Sequence, residues 1–350
     1  MTVTWHVDDL KVSHQDPFEI TLLADYLQGI YGNVDVHRGK IHDYLGVDFD
    51  FTERKKVKVS QIKYLCGVLK EFPEEITGTA ATPAAEHLFV IRPDDDPKKK
   101  YLPEEQAVTF HRTTAQLLFM SNRARRDIQT AVSFLTTRVK KPDEDDWGKL
   151  KRVLKYLNGT RYMKLTLEVN NLGVIKWWVD ASHNVHEDCR GHTGALMTLG
   201  KGAAISGSWK HKLNTKSSTE SELVGADQVL SQCLNSKYFI EAQGYKVDQN
   251  IMFQDNQAAI RLEVNGRFSS SKRTKHIKAK YFFIKDKVDC GDVEIQYCPT
   301  EKMWSDVLTK PKQGKGFRVD RSHLMNLMED YDDEVERRNT NPLLIPQEWL

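Results

Sequence analysis

Between residues 166 and 328 three β-prone runs follow one another, at 174–179, 193–199 and 204–209, before any helical spacing begins. Leu223, Ala226, Leu230 and Leu234 then fall in register over about 219–243. A strand at 251–255, a basic helical stretch, a strand at 293–297 and a helix after Pro299-Thr300 complete the block. Three strands in quick succession, followed by alternating helices and strands, predict one mixed α/β layer domain.

Two blocks precede it. In the first, residues 1–52, a β-prone run ends at His6-Val7. Asp16 then offers an N-cap, Pro17 a first helical position and Glu19 a capping-box spacing. Leu22, Leu23, Tyr26 and Leu27 supply an apolar face, and Gly29 is the expected stop. Residues 44–51 read as one strand with alternating apolar positions. The second block, 53–165, reads as mostly helical, with apolar stripes at Ile62, Leu65, Leu69 and Phe72, at Ile128, Ala131, Val132 and Leu135, and at Trp147, Leu150, Val153, Leu154 and Leu157. Residues 73–105, with five prolines and the runs Asp94-Asp95-Asp96 and Lys98-Lys99-Lys100, read as a long surface excursion. An acidic stretch over 329–350 is expected to be a poorly ordered tail.

Composition narrows the classes. Hydrophobic residues make up 39% of the 350, enough for real cores. No apolar run approaches the roughly 18 residues of a membrane span. The N-terminus lacks a basic start and an apolar stretch, so an intracellular protein is expected. Five widely spaced cysteines without a C-x-x-C pair argue against a disulfide framework and a zinc site. The net charge of +2 conceals a local excess: residues 261–287 carry nine basic side chains against Glu263 and Asp286. That patch suits a polyanion, and it also suits an ordinary solvated helix face.

The chemistry sits on carboxylates at element ends. Asp180 closes the first strand of the third block, Glu222 lies near the start of the following helix, Asp255 closes the fourth strand, and Asp306 falls in the helix after the last strand. Strand ends of a mixed sheet gather ligands at the carboxyl edge. Four carboxylates within about 4 Å of one another would repel by roughly 4 kcal/mol per pair at an effective dielectric near 20, which a cation relieves. An all-oxygen set suits Mg²⁺ or Mn²⁺, and two such ions could clamp both oxygens of an in-line phosphodiester cleavage. Each carboxylate also has a plain reading as a cap or turn residue. Glu220 and Glu222 stand three residues after Ser217 and Thr219, so either fits a capping box.

A resemblance now adds to this reading. Trp178-Val179-Asp180-Ala181-Ser182, Ile205-Ser206-Gly207-Ser208-Trp209-Lys210 and Ser217-Ser218-Thr219-Glu220-Ser221-Glu222-Leu223 are followed by Gln254-Asp255-Asn256-Gln257, Arg273-Thr274-Lys275-His276-Ile277 and Ser305-Asp306-Val307-Leu308-Thr309-Lys310-Pro311. In this order they resemble the ribonuclease H part of copia-type LTR retrotransposon Pol polyproteins. His6-Val7-Asp8-Asp9-Leu10 resembles the Tyr-x-Asp-Asp hairpin of the reverse transcriptase in the same polyproteins, with His in place of Tyr. Tyr44-Leu45-Gly46-Val47-Asp48 resembles its primer-gripping hairpin. Arg126 stands before Asp127-Ile128 where the family commonly has Pro, and a slightly different turn is expected there.

The resemblance implies a multidomain α/β and α+β chain: a truncated reverse-transcriptase palm (1–52), a mostly helical thumb and connection (53–165), a ribonuclease H-like mixed α/β domain (166–328) and the tail. It implies that Asp180, Glu222, Asp255 and Asp306 hold two Mg²⁺ or Mn²⁺ ions and hydrolyse the RNA strand of RNA–DNA hybrids. Lys272, Arg273, Lys275, His276, Lys278 and Lys280 would hold nucleic acid through phosphates. Asp8 and Asp9 would be an incomplete polymerase site, because the family's further Asp and its fingers are expected to lie upstream of Met1; no polymerase activity is expected of this chain alone, and a missing Pol segment in another chain is the expected partner. No membrane partner is expected. The expected location is cytoplasmic, in a virus-like particle. The competing readings are a catalytically silent nucleic-acid-binding remnant, and an integrase-like nuclease, against which a fourth carboxylate argues.

Overall fold

The computed structural model describes residues 1–266, 278–328 and 331–332. The chain begins with a hairpin, β1 (Thr2–His6) and β2 (Asp9–Ser13). Helix α1 (Pro17–Tyr31) starts as expected: the Asp16 carboxylate accepts from the Phe18 amide, and Pro17 gives up no needed donor. It passes through Gly29 and stops at Gly32, whose φ of 82° suits a residue without a side chain. Its expected apolar face is not covered, for no residue of α1 is buried and Tyr26 and Tyr31 lie open to solvent.

The stretch 44–51 is a hairpin rather than one strand. β3 (Ile41–Tyr44) reverses at Leu45 and Gly46, both at positive φ, into β4 (Val47–Asp50). Apolar alternation survives such a reversal, so the pattern alone does not register it. β5 (Lys56–Ser60) and α2 (Ile62–Glu71) follow, with Leu65 and Val68 buried. The excursion after Phe72 returns inward: Thr82, Ala84 and Leu88 are buried, and the Phe89 ring meets Phe134. Its first residues, 73–81, and its charged part, around 94–100, stay largely at the surface as the composition suggests.

Helices α3 (Glu104–Ser121), α4 (Gln129–Thr136) and α5 (Glu144–Gly159) form the middle of the molecule. The cap of α5 is Asp143, which accepts from the Asp145 and Asp146 amides, and the Asp146 carboxylate accepts from the Asp143 amide in return. Arg126 opens a short 3₁₀ turn, and its guanidinium reaches the carbonyl of Ala204.

The third block contains the expected elements in order, with two further strands and one further helix. β6 (Leu165–Val169), β7 (Val174–Ser182), β8 (Arg190–Thr198), the short β9 (Gly200–Lys201) and β10 (Ile205–Asn214) lead into the long α6 (Ser218–Ala242). Then come β11 (Gln249–Gln254), α7 (Gln257–Asn265), α8 (Lys278–Asp289), β12 (Glu294–Tyr297), a 3₁₀ turn (Trp304–Leu308) and α9 (Gly314–Met325).

The architecture is mixed α/β with several sheets. One five-stranded sheet, β3-β4-β5-β6-β9, is antiparallel throughout. The other runs β10-β8-β7-β11-β12: its first three strands are antiparallel, while β11 lies parallel to both β7 and β12. Side chains alternate across β7 and separate two cores. Trp177 and Val179 join Leu223, Ala226 and Leu230 of α6, whereas Trp178 joins a cluster that includes Leu150, Leu154 and Leu308. Strand β6, at the start of the third block, belongs to the first sheet, and the larger core runs from Val47 to Met325. No helix among the described residues is long and apolar enough to cross a membrane.

Candidate active site

The parallel pairing of β7 with β11 sets the site. Trp178 stands opposite Phe253, so two residues further along each strand line Asp180 and Asp255 emerge level at one edge of the sheet. Helix α6 begins beside that edge and brings Glu222. Ligand oxygens of Asp180, Glu222 and Asp255 all lie within 4.8 Å of one another. Asp180 and Glu222 are buried, at 3% and 5% exposure, and Asp255 is half-buried.

The two glutamates at the helix start have different tasks. Ser217 caps α6 by accepting from the Glu220 amide, and the Glu220 carboxylate accepts from the Lys216 amide at 2.8 Å. Glu222, two residues on, faces the aspartates. Its Oε2 atom is buried with no hydrogen-bond partner among the described residues. Gly225 lets the helix come this close, since a Cβ there would stand 3.1 Å from the Ala181 methyl.

Asp306 is near the group but outside it. It lies in the 3₁₀ turn rather than in a helix, with Oδ1 accepting from Lys310 Nζ at 2.6 Å and Oδ2 from Lys312 Nζ at 3.2 Å. Lys310 Nζ also lies 3.7 Å from Asp180 Oδ2. Two hydroxyls orient the aspartates: Thr309 donates to Asp180 Oδ2, and Thr300 donates to Asp255 Oδ2 at 2.9 Å.

Electrostatics follow from this crowding. Burial pushes the Asp180 carboxyl up to about 6, with Lys310 pulling it back and Asp306 adding repulsion. Burial, then Asp180 and Asp255, raise Glu222 well above the usual carboxylate range. Burial also acts on Asp306, but the contacts from Lys310 and Lys312 outweigh it and hold this carboxyl low. A buried, repelling, all-oxygen set with an orphaned acceptor fits a hard divalent cation such as Mg²⁺ or Mn²⁺.

Sequence reasoning gave no role to Lys310, Thr309 or Thr300, although the first two stand inside the quoted motif. It also missed Glu263 on α7, wholly buried with neither carboxylate oxygen hydrogen-bonded among the described residues; Gln254 nearby has both amide atoms in the same condition. Nothing in the spacing signals them, because an acidic residue inside an apolar face is visible only once the helix is packed.

The other expected residues are scattered. Asp8 and Asp9 lie exposed at the turn of the first hairpin, and among the described residues no third ligand joins them. Lys272, Arg273, Lys275 and His276 lie outside the described residues, as does the 329–350 tail apart from Tyr331 and Asp332. Lys278 and Lys280 fall in the first turn of α8.

No family model matches the chain. A retrovirus-related Pol polyprotein from transposon TNT 1-94 of Nicotiana tabacum is 28% identical over 318 residues, covering 87% of this chain and 23% of that protein. The corresponding polyprotein from transposon RE2 of Arabidopsis thaliana is 26% identical over 325 residues, covering 89% of this chain and 21% of that protein. The chain is therefore similar to copia-type Pol polyproteins along most of its length, and spans between a fifth and a quarter of these two relatives. Among solved structures, the LC11 ribonuclease H1 isolated from compost has a TM-score of 0.30 and 15% identity, covering 39% of this chain and 92% of that chain.

Proposed function

We propose that the chain carries a metal-dependent ribonuclease H which hydrolyses the RNA strand of RNA–DNA hybrids, within a retrotransposon Pol segment. The observation that carries the proposal is the convergence of Asp180, Glu222 and Asp255, drawn from two strand ends and a helix, with Glu222 Oε2 buried and unpartnered. The order of the second sheet and the similarity to Pol polyproteins support it.

Two divalent ions, Mg²⁺ or Mn²⁺, when bound, would supply Lewis acidity and an activated water for phosphodiester cleavage. The chain's own residues supply the rest. Asp180, Glu222 and Asp255 are the ligands within reach, and Asp306 is the fourth carboxylate at their side. Thr309 and Thr300 each hold one carboxylate oxygen, of Asp180 and Asp255 respectively, and so restrain both side chains. The basic residues 272–280 would hold phosphates of the hybrid, a contact blind to sequence and weakened by salt. Selection of RNA at the cut strand would rest on contacts to its 2′-hydroxyls. Asp8 and Asp9 lie exposed, and among the described residues no third ligand joins them.

The test is cleavage of an end-labelled RNA–DNA hybrid in Mg²⁺ by the whole chain. Cleavage that falls at least 100-fold in Asp255→Asn supports the enzyme. Retained hybrid binding with no cleavage by the unaltered chain identifies a silent binding remnant instead.

A further inference from the structure

The charge nearest the open side of the carboxylates comes from the protein itself. Lys310 Nζ stands 2.6 Å from Asp306 Oδ1 and 3.7 Å from Asp180 Oδ2, bridging the fourth carboxylate to the first. Its anchor is local, an i,i+4 pair with Asp306, while its reach to Asp180 crosses from the 3₁₀ turn to the sheet. Lys312 closes the other Asp306 oxygen and is itself held by Asp320 at 2.6 Å. Asp306 therefore has an ammonium group on each oxygen, and an ion recruiting it must compete with both positive charges. The two lysines differ in freedom: the Lys310 side chain is 47% exposed, that of Lys312 26%. Lysine is a compact charge on a flexible stem, able to leave such a position by rotating into solvent.

We propose that Lys310 is a displaceable counter-cation, which fills the space between Asp180 and Asp306 in the ion-free protein and yields it when a divalent ion binds. The inference rests on reading the carboxylates as a metal site. It assigns the first ion to Asp180, Glu222 and Asp255, and makes recruitment of Asp306 conditional on release of Lys310. Lys310 is a positioning residue in this scheme: it sets the ion concentration at which the site loads and keeps the carboxylates assembled until then.

Calorimetric titration of Mn²⁺ into the whole chain tests this without relying on turnover. Lys310→Met is expected to bind Mn²⁺ about tenfold more tightly than the unaltered chain, and Lys310→Arg, which keeps the charge, to stay close to it. In EDTA, Lys310→Met is expected to melt several degrees lower, and the deficit to vanish in saturating Mn²⁺. A lysine with only a structural role would leave a deficit in both conditions. Should Lys310→Met fail to fold, Lys310→Gln, of similar length and without charge, takes its place. Equal or weaker Mn²⁺ affinity in these neutral variants overturns the role of Lys310 while leaving the metal site standing. Absence of Mn²⁺ binding in the unaltered chain and all variants overturns the metal site itself.

Discussion

Glu263 is a fully buried acid with no charged partner among the described residues, and only the Gln254 amide nearby to favour its ionised form. Burial lifts its carboxyl up to about 8, whereas the same group in the unfolded chain titrates near 4.3. Between those values the folded protein keeps a proton that the unfolded chain releases. The group's contribution is therefore most favourable below about pH 4, declines as pH rises, and levels off above about pH 8. Glu263→Gln, neutral throughout, is expected to stabilise the protein by roughly 3 kcal/mol at pH 7 and by little at pH 4.5. Thermal melts of both proteins across that range check it, and parallel stability curves would refute it. At this scale the sequence was legible in one respect only. The identities of the acidic residues could be read; which of Glu220 and Glu222 faces its neighbours depended on how α6 begins.

Elements were read well where an apolar pattern runs unbroken, as in α5, α6 and β7, and poorly where a turn interrupts a period without changing it, as in the hairpin at Leu45-Gly46. The close approach of elements is equally invisible in the sequence. Gly194, paired with Asp180 across β7 and β8, lies under the 3₁₀ turn; a Cβ there would stand 2.7 Å from Leu308 Cβ and 2.8 Å from Thr309 Cγ2. Gly194→Ala is expected to lift that turn, lowering stability by about 1–3 kcal/mol and moving Thr309 and Asp306 away from Asp180. Gly225→Ala, whose contact with the Ala181 methyl is 3.1 Å, is expected to cost less. Urea midpoints should rank the two in that order. Removing the Asp143 cap of α5 as Asp143→Ala is expected to cost about 1 kcal/mol by the same measurement.

Across the whole molecule a buried polar network ties distant parts together. Arg125 grips Asp127 through two hydrogen bonds of 2.9 and 2.8 Å and donates to the carbonyl of Thr160. The Tyr156 hydroxyl donates to Asp127 at 2.6 Å and accepts from Arg321 of α9, whose guanidinium also pairs with Asp332. Asp127→Ala leaves Arg125 charged and unpaired in the interior, and is expected to cost about 3–5 kcal/mol. Because one core spans Val47 to Met325, heat is expected to unfold residues 53–328 in a single transition, readable by calorimetry. Two well-separated peaks would contradict a shared core.

The sequence by itself determined the order of elements in the third block and which carboxylates stand at their ends, because hydrophobic period and capping chemistry are local properties written in neighbouring residues. The tertiary structure decided what those ends meet. Sheet register brought Asp180 level with Asp255, close helix packing brought Glu222 to them, and the 3₁₀ turn gave Asp306 to two lysines. Such contacts join residues far apart in the chain, and their distances depend on packing that no local pattern encodes.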